Sequence, residues 1–333
     1  MRLKDVAGQL GLAPSTVSRA LNHPEMVAAE TRIRVLEAVQ KARYQPDRIA
    51  RSLRIRQTST IGLIVSDILN PFHAELARTV EQAARQRGYT VIFGNSNEEE
   101  EQERDYLETF VSSRVSGIIL APSGNSSETL RRMVDQGIVV VQVDRLTPGL
   151  EADAVLLDNS RGASLAVTHL IDLGHRRIGM IAGPQHLTTG KERLEGYKST
   201  LLAAGLPYNP DLVYVGNFRE SGGYEGTRAL LSLPDPPTAI LTANSEMAAG
   251  AVRALREANL VIGKDISLVT FDDTRWAQYM LPPLTVVAQP VEEIGRTAVD
   301  VLFRRLERRT SRSTIYTLQP YLIERASTGR PPR

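Results

Sequence analysis

The sequence predicts an α/β protein with a small head of three helices, a short basic hinge and a core of two similar doubly wound parallel-sheet halves. Three observations support this prediction. The first 46 residues carry helical patterns only, residues 47–58 hold four arginines and one acid, and short β-rich runs alternate with stretches of helical length from residue 60 onward. Strand–helix alternation is typical of a parallel sheet that is covered by helices on both faces.

Residues 2–22, RLKDVAGQLGLAPSTVSRALN, predict two short helices joined by a tight turn. Gly11 stands where a residue of positive φ ends a helix, and Pro14 opens the second helix, where its missing N–H is not needed. The apolar residues of both helices fall at helical spacing: Leu3, Val6, Ala7 and Leu10, then Val17, Ala20 and Leu21. A short helix with small polar residues at its start fits the major groove. We interpret the pair as a helix-turn-helix, and an ordinary helical hairpin is the alternative.

A third helix is predicted over residues 31–42, with Ile33, Leu36 and Val39 as its apolar residues. Pro46 then ends regular structure, because the residue before a proline avoids helical angles. The segment DRIARSLRIRQT (47–58) is basic, and its composition alone is consistent with a flexible linker.

The stretch LKDVAGQLGLAPSTVSRALN resembles the signature of the lactose-repressor/galactose-repressor family of bacterial transcription regulators. TRIRVLEAVQKARYQPDRIARSLR is similar to that family's third helix and hinge. The resemblance implies a helix-turn-helix DNA-binding domain at 1–46 and a hinge at 47–59 that folds against its dimer mate in the minor groove. The DNA-contacting residues that the family positions imply are Pro14, Ser15, Thr16, Ser18, Arg19, Ala50 and Leu53.

These residues would read DNA in different ways. Arg19 can bond a guanine in two places, and Pro14 can offer only apolar contact. Thr16 and Ser18 suit phosphates or helix capping, whereas Leu53 would be wedged between base pairs. One departure from the family concerns stability, because Ala13 and Ala28 stand where a serine usually caps a helix. Each loss costs about 1 kcal/mol.

The resemblance also implies that residues 60–333 form a periplasmic-binding-protein-like core for effector binding and dimerisation, whose chain crosses three times between its halves. We expect crossings near 158–161, 286–291 and 318–320, which give a first half of about 60–159 and 289–318 and a second half of about 160–288 and 319–328. TVVAQP (285–290) and a helix at 291–307 are expected to return to the first half, and a last strand near 320–324 to the second. The acidic run at 98–101 is expected to be a solvated helix start.

The cleft between the two halves is the expected effector site, since small ligands bind in such clefts. The residues that match family effector positions are Asn70, Phe72, His73, Asp144, Thr189, Arg193, Phe218, Asn244 and Asp272. Aromatic faces, paired acceptors and a forked donor suit a polyhydroxylated ligand such as a sugar, although the family also binds nucleobases. Each residue taken singly also has a purely structural interpretation, and His73 departs from the aromatic residue that is common at its position.

Composition limits the other function classes. Residues 1–58 carry 11 Lys/Arg against 5 Asp/Glu, a net charge of +6, whereas the rest of the chain carries 29 against 33, a net charge of −4. A basic head on a mildly acidic core suits DNA binding by the head. The chain has no cysteine, no apolar run long enough to span a membrane and no export signal at its start, so we expect a cytoplasmic protein.

Sequence signatures of enzymes are missing. The turn SDILNPF lacks the glycines of a dinucleotide fingerprint, no nucleophile elbow or zinc-protease motif occurs, and His169, His175 and His186 have no metal-like spacing. We therefore expect no catalysis, no metal and no cofactor. No leucine heptads follow residue 310, which favours a dimer over a larger assembly.

The sequence thus predicts a dimeric repressor of transcription that binds a palindromic operator and responds to a small polar effector, such as a sugar. The main alternative is a DNA-binding regulator with no effector, which an empty or collapsed cleft would favour. A secreted sugar-binding protein would share the core but lack residues 1–58.

Overall fold

The structure is a computed structural model, and it describes residues 3–22, 26–42, 58–124, 127–308 and 312–332. The chain divides into two compact units, residues 1–58 and residues 59–333. We call the first unit the head and the second the core.

The head contains three helices: α1 (Leu3–Leu10), α2 (Pro14–Asn22) and α3 (Ala29–Lys41). Gly11 has a φ of +63° and ends α1 as predicted. The N–H of Leu12 closes the turn onto the carbonyl oxygen of Ala7 at 3.0 Å. Ala28 is the N-cap of α3 and its side chain makes no capping hydrogen bond.

The core of the head is built from small apolar residues. Its buried members are Val6, Ala7, Val17, Ala20 and Val35. Of the apolar residues predicted for α3, Val39 packs inward, but the prediction was wrong for Ile33, which is 56% exposed, and for Leu36, which is 44% exposed. The stripe that packs inward recurs at i, i+3, i+4 and i+7, and it consists of Val35, Ala38, Val39 and Ala42. Small side chains let α3 approach the other two helices closely.

The elements of the core follow the predicted alternation. The first sheet and its flanking helices begin with β1 (Thr60–Val65), α4 (Pro71–Gln86), β2 (Thr90–Asn95), α5 (Glu100–Ser112), β3 (Gly117–Leu120), α6 (Ser127–Asp135), β4 (Val139–Val143) and β5 (Asp153–Leu157). The next elements are α7 (Asn159–Asp172), β6 (Ile178–Ala182), α8 (Thr188–Ala203), a 3₁₀ turn (Pro210–Leu212), β7 (Val213–Val215), α9 (Glu220–Leu231), β8 (Ala239–Thr242), α10 (Ser245–Glu257) and β9 (Ser267–Phe271). The chain ends with α11 (Arg275–Tyr279), β10 (Thr285–Ala288), α12 (Val291–Glu307), β11 (Ile315–Leu318) and β12 (Tyr321–Ile323).

The strands form two six-stranded sheets. The first has the order β11-β5-β4-β3-β1-β2 and the second the order β12-β10-β9-β8-β6-β7. All described pairings are parallel except that of β10 with β12, which is antiparallel. The two sheets therefore share one doubly wound plan, and in each the order reverses beside the first strand, β1 or β6.

The chain crosses back to the first half within the predicted range 286–291, but the assignment of the strand before this crossing needs correction. The segment 285–290 was expected to return to the first half, but its strand β10 pairs with β9 and β12 of the second sheet. The return begins after that strand, because α12 packs with first-sheet residues through Ile294, Ala298, Val299 and Leu302. All four residues of β10 are buried. A continuous apolar run of this kind fits the interior of either sheet, so the sequence alone did not indicate to which sheet the strand belongs.

Two strands of the first sheet had no predicted counterpart. β5 lies between β4 and β11, and β11 forms the edge of the sheet. The residues of β11 alternate between exposed and half-buried, which is why its segment has no buried run of the kind that marks the central strands.

No helix in the described ranges is long and apolar enough to cross a membrane.

Candidate functional site

The start of α2 presents the residues predicted to contact DNA. Pro14, Ser15 and Arg19 are exposed, whereas Thr16 and Ser18 are half-buried. Val17 and Ala20 on the opposite side are fully packed in the head. The helix therefore keeps one face for its own core and offers a small, polar and basic face outward. The predicted hinge residues Ala50 and Leu53 lie outside the described residues.

All nine predicted effector residues line a single cavity between the carboxyl ends of the two sheets. This is the edge where ligands bind in open α/β folds. The nine are joined there by six residues that the sequence did not single out, so that the lining comprises Asp67, Asn70, Phe72, His73, Glu98, Asp144, Arg145, Thr189, Arg193, Asn217, Phe218, Arg219, Asn244, Asp272 and Gln289.

Arg193 forms the floor of the cavity on the side of the second sheet and is only 3% exposed. Its Nε donates to Oδ1 of Asn159 at 2.8 Å, and Nη1 donates to the carbonyl oxygen of Ala243. The guanidinium lies 4.1 Å from the ring centroid of Phe271, a cation–π contact. Burial lowers the pKa of Arg193 from its usual value, although the charge of Asp272 opposes this.

Asp272 follows β9 and is 5% exposed. Its Oδ1 accepts from Nε2 of Gln289 at 2.6 Å, and Oδ2 accepts from the backbone N–H of Ser245 at 3.4 Å. Burial raises the pKa of Asp272, against the lowering effect of Arg193 and these hydrogen bonds. A carboxylate held here is a strong acceptor for ligand hydroxyls.

On the side of the first sheet, Arg145 is clamped by two carboxylates. It donates to both oxygens of Glu98, at 2.7 and 3.2 Å, and through Nε to Asp144 at 3.1 Å. Burial alone would raise the pKa of Glu98, but the charge and hydrogen bonds of Arg145 hold that pKa below its usual value. The expectation that the whole acidic run at 98–101 is solvated was therefore wrong for Glu98, whose side chain is 19% exposed.

The start of α4 supplies three of the lining residues. Asn70 caps the helix by accepting from the backbone N–H of Phe72 at 2.9 Å. His73 is buried, and its Nε2 lies 2.8 Å from Oγ of Ser66. The rings of Phe72 and His73 meet edge to face with centroids 5.1 Å apart. Burial lowers the pKa of His73, against the raising effect of Asp144.

Backbone strain is concentrated at the cavity. Four of its lining residues have positive φ: Glu98 at 61°, Asp144 at 67°, Phe218 at 60° and Asp272 at 75°. Such conformations cost of order 1–3 kcal/mol for residues other than glycine, and they persist where function requires them. At these four positions the left-handed backbone conformation accompanies side chains that line the cavity.

The cavity is nearly closed. It leaves about 20 Å³ for the centre of a water-sized sphere, which is room for about one water molecule. Contacts bridge the two sides: the guanidinium of Arg145 lies 5.7 Å from the ring centroid of Phe218, and the N–H of Leu146 donates to Oγ1 of Thr188 at 3.1 Å. A ligand of several carbon atoms must therefore enter an opened form.

Three buried polar atoms on lining residues have no hydrogen-bond partner within the described part of the chain. They are Nδ1 of His73, Oγ1 of Thr189 and Oε1 of Gln289. Buried polar atoms are almost always paired in folded proteins. The cavity wall thus has unused hydrogen-bonding capacity as well as aromatic faces, which suits a small polar molecule. Among the described residues, no group of three or more acidic, histidine or cysteine side chains could hold a metal ion.

The six lining residues that sequence reasoning missed fall into two kinds. Arg145, Asn217 and Arg219 are direct chain neighbours of the predicted residues Asp144 and Phe218, so adjacency was an available signal. The other three, Asp67, Glu98 and Gln289, follow β1, β2 and β10, and strand ends in the right topology would have pointed to them.

Comparison with known proteins gives consistent matches. Residues 2–47 match the model for bacterial regulatory proteins of the lacI family, and residues 167–328 match that for a periplasmic binding protein-like domain. The ribose operon repressor of Escherichia coli K12 is 37% identical over 327 residues, which cover 98% of this chain and 99% of that protein.

Solved structures agree with this assignment. The lac repressor dimer bound to operator and the anti-inducer ONPF matches with a TM-score of 0.89 and 28% identity, covering 99% of each chain. A lacI family transcriptional regulator from Enterococcus faecium with bound ribose matches with a TM-score of 0.73 and 31% identity, covering 81% of this chain and 99% of that one.

Proposed function

This chain belongs to the lacI family of bacterial regulatory proteins, and on that premise we propose that it is a dimeric transcription repressor whose operator affinity is set by a neutral monosaccharide, with D-ribose the first candidate. The observation that carries the proposal is the nearly closed cavity, which combines two aromatic faces, buried charged groups and unsatisfied polar atoms. Catalysis forms no part of the proposed role, and two of the relatives reported above are repressors by name.

The charge balance of the cavity favours a neutral sugar over a sugar phosphate. Arg145 is neutralised by Glu98 and Asp144, and Arg193 lies near Asp272. A phosphate would need free cationic donors, whereas hydroxyl groups can exchange hydrogen bonds with carboxylates and guanidinium groups alike. The relatives whose names mention ribose point to the same ligand class.

The rival function is a DNA-binding regulator with no effector, and the small cavity volume favours it. The chemistry of the wall opposes it. Burying charges such as Arg193 and Asp272 costs several kcal/mol per ion unless the geometry is excellent. Apolar side chains would close an interface between the two halves at a lower cost in free energy. Strained backbone at four lining residues argues in the same direction. We therefore interpret the closed cavity as the form that a ligand stabilises.

For the head, we propose that α2 enters the major groove and that Pro14, Ser15 and Arg19 meet base edges. Residues 1–46 would form the DNA-binding domain and 47–59 the hinge, with Ala50 and Leu53 reaching the minor groove of a palindromic operator when two copies pair. Effector binding would alter the geometry between the halves of the core and hence the spacing of the two hinges. Such a regulator acts where the chromosome is, in the cytoplasm.

A ligand screen tests the effector part of the proposal. The full chain is heated with D-ribose, other pentoses, hexoses, ribose 5-phosphate and nucleobases, because a ligand that binds only the native state raises the melting temperature. We expect D-ribose or a neutral relative to give the largest rise. Stabilisation by a nucleobase or by ribose 5-phosphate alone would contradict the neutral sugar. No stabilisation by any compound would favour the regulator without an effector.

Operator binding is tested separately. DNA fragments are selected from a random pool by the full chain, and affinity for the selected site is measured with and without the ligand. We expect a palindromic site and an affinity that changes in the presence of sugar. Amide exchange of residues 47–58 with and without this DNA tests the hinge, since folding on binding requires protection that appears only with DNA. Equal protection in both states would contradict the hinge proposal.

A further inference from the structure

The first crossing between the halves of the core is held by hydrogen bonds on both of its sides. Asp158 still belongs to the first sheet, because its backbone N–H donates to the carbonyl oxygen of Leu318 at 2.9 Å. Ser160 already belongs to the second half, since its Oγ donates to the carbonyl oxygen of Glu192 on α8 at 3.1 Å. At this crossing, a change in the angle between the halves must therefore be taken up next to Asn159.

Asn159 is 2% exposed, and its side chain makes contacts in both directions. Its Oδ1 accepts from Nε of Arg193, the floor of the cavity, at 2.8 Å. Its Nδ2 donates to the carbonyl oxygen of Leu157 at 3.3 Å and to Oε2 of Glu192 at 3.0 Å. Leu157 is the last residue of β5 and pairs with Leu318 within the first sheet. One side chain thus joins the cavity floor to the first sheet.

The orientation of this amide follows from the chemistry of its partners. A guanidinium can only donate hydrogen bonds, and a backbone carbonyl oxygen can only accept them. The amide oxygen must therefore face Arg193, and the amide nitrogen must face Leu157. Because the amide group is planar, a displacement of one contact also displaces the other.

The crossing after β10 carries a similar link. Gln289 donates from Nε2 to Oδ1 of Asp272 at 2.6 Å. Arg193 and Asp272, the two charged groups described above on the side of the second sheet, are thus each held by a side-chain amide at a crossing. Gln289 lines the cavity itself, so its contact with a ligand cannot be separated from its contact with Asp272. Asn159 is not among the lining residues, and its two contacts can be tested without removing a group from the cavity wall.

Resting on the proposed function, we infer that Asn159 is a positioning residue that couples effector binding to the angle between the halves of the core. It orients Arg193 for the ligand, and it passes a displacement of that guanidinium on to the end of β5. The strand that follows the predicted hinge in the chain, β1, belongs to the same sheet as β5. A response to the effector can therefore reach DNA binding through the first sheet.

The test measures two quantities for each full-length variant. Titration calorimetry gives the affinity for D-ribose. Titration of the selected operator gives the operator affinity without sugar and at saturating D-ribose, and we call the ratio of these two operator affinities the coupling ratio. Because the sugar is saturating, the coupling ratio does not depend on how tightly the sugar binds.

Three changes separate the contacts of Asn159. Asn159→Ala removes all of them. Asn159→Asp is made together with Glu192→Gln, so that two carboxylates do not face each other. In this double variant an oxygen still accepts from Arg193, but no side-chain N–H remains for Leu157, and Glu192→Gln alone is its reference. Ser160→Ala is the matched control, because it removes a hydrogen bond between the same crossing and α8 without touching Arg193.

We expect Asn159→Ala to weaken D-ribose binding roughly 2- to 12-fold, the effect of one hydrogen bond, and to move the coupling ratio towards 1 by a similar factor. The double variant should bind D-ribose within about 3-fold of Glu192→Gln, because Arg193 is still held. Its coupling ratio should nevertheless move towards 1, since the link to the first sheet is lost. Ser160→Ala should leave the coupling ratio within about 2-fold of the wild-type value.

Three outcomes would contradict the inference. A wild-type coupling ratio in both Asn159 variants would overturn it and leave the proposed function intact. An equal loss of coupling in Ser160→Ala would also overturn it, because any weakening of the crossing would then have the same effect. A wild-type operator affinity that D-ribose does not change would contradict the proposed effector, and this inference with it. If melting curves show that Asn159→Ala does not fold, the double variant alone decides.

Discussion

The guanidinium of Arg219 donates from Nη2 to the carbonyl oxygen of Asn97 at 3.1 Å and thereby joins the two sides of the cavity at its rim. Arg219 follows β7 of the second sheet and Asn97 follows β2 of the first. Asn97 itself has a φ of 53°, which turns the chain at this point. The contact is made by exposed groups, so its contribution to closure is modest, but any separation of the two sides would break it.

Replacing Arg219 with alanine should therefore weaken sugar binding more than it affects folding. The lost hydrogen bond is worth about 0.5–1.5 kcal/mol, so we expect roughly a 2- to 12-fold rise in the dissociation constant. Calorimetric titration with the identified sugar measures the change. Arg256→Ala removes the same charge from an exposed position on α10 and is the control. Equal effects of the two substitutions would show that charge, and not the rim contact, is responsible.

Asp272→Asn should separate ligand binding from stability. The amide keeps the shape but loses the charged acceptor, so sugar affinity should fall by about 1.5–3 kcal/mol. Because burial raises the pKa of Asp272, the ionised group opposes folding at neutral pH. The ligand-free variant should therefore melt higher than the wild-type protein, by about 2–4 °C for each kcal/mol regained.

The pH dependence checks this interpretation. A carboxyl group whose pKa is raised by folding destabilises the fold above that pKa and ceases to do so when it is protonated. The difference in melting temperature between Asp272→Asn and the wild-type protein should accordingly shrink as the pH falls from 7 towards the acid range. Melting curves across this range give the result, with the exposed Asp211→Asn as the control. A gain that grows on acidification would refute the assigned role of burial.

His175 should stabilise the second half of the core through the C-terminal segment. It is fully buried, its Nδ1 lies 2.8 Å from Oγ1 of Thr238, and its Nε2 donates to the carbonyl oxygen of Gly329 at 2.9 Å. His175→Ala should lower the free energy of unfolding by about 1–3 kcal/mol, because buried partners are left unpaired. Chemical denaturation measures this, and His186→Ala, at an exposed site, should have little effect.

The same residue predicts acid sensitivity. Burial lowers the pKa of His175, and the backbone hydrogen bond to Gly329 opposes this. A histidine whose pKa is lowered by folding contributes stability above its unfolded value of about 6.5, and that stability is lost as the pH falls through the lower, folded pKa. The wild-type protein should lose stability more steeply below pH 6.5 than His175→Ala does. Parallel pH profiles of the two proteins would contradict this.

Arg19→Ala should cost roughly 1–3 kcal/mol on the selected operator and relax the preference at one base pair in each half-site. Arg19 is exposed on α2, on the side opposite the packed residues of the head. Titrations against single-base variants of the operator measure discrimination. Arg32→Ala, an equal charge change on an exposed position of α3, controls for general electrostatics. Uniform weakening on every variant would identify Arg19 as a phosphate contact.

Much of the architecture was predictable because its signals are local. The positive φ of Gly11, the helix start at Pro14 and most strands and helices of the core follow from turn chemistry and from periodicity over a few residues. Resemblance to the family supplied the nine cavity residues. Their convergence then follows from a parallel sheet, since strand ends of the same polarity meet at one edge.

Long-range choices were decided only by the tertiary structure. Whether β10 joins the first or the second sheet depends on which neighbours offer a free edge, and a buried apolar strand fits either. Likewise, Ile33 and Val35 both belong to helical stripes, and the packing of α1 and α2 selects the stripe of smaller residues. The pairing of Glu98 with Arg145, 47 positions apart, turned an expected surface acid into part of the cavity wall.

The sequence by itself therefore determined most of the elements, the helix-turn-helix and the residue types at the ends of the strands. The tertiary structure alone decided which charges neutralise each other and which polar atoms are left for a ligand. The clamp on Arg145 is the clearest case, because Glu98, which pairs with it, lies 47 positions away in the chain. The physical reason is that propensity acts over one or two turns of chain, whereas hydrogen-bond and charge partners are set by packing between distant segments.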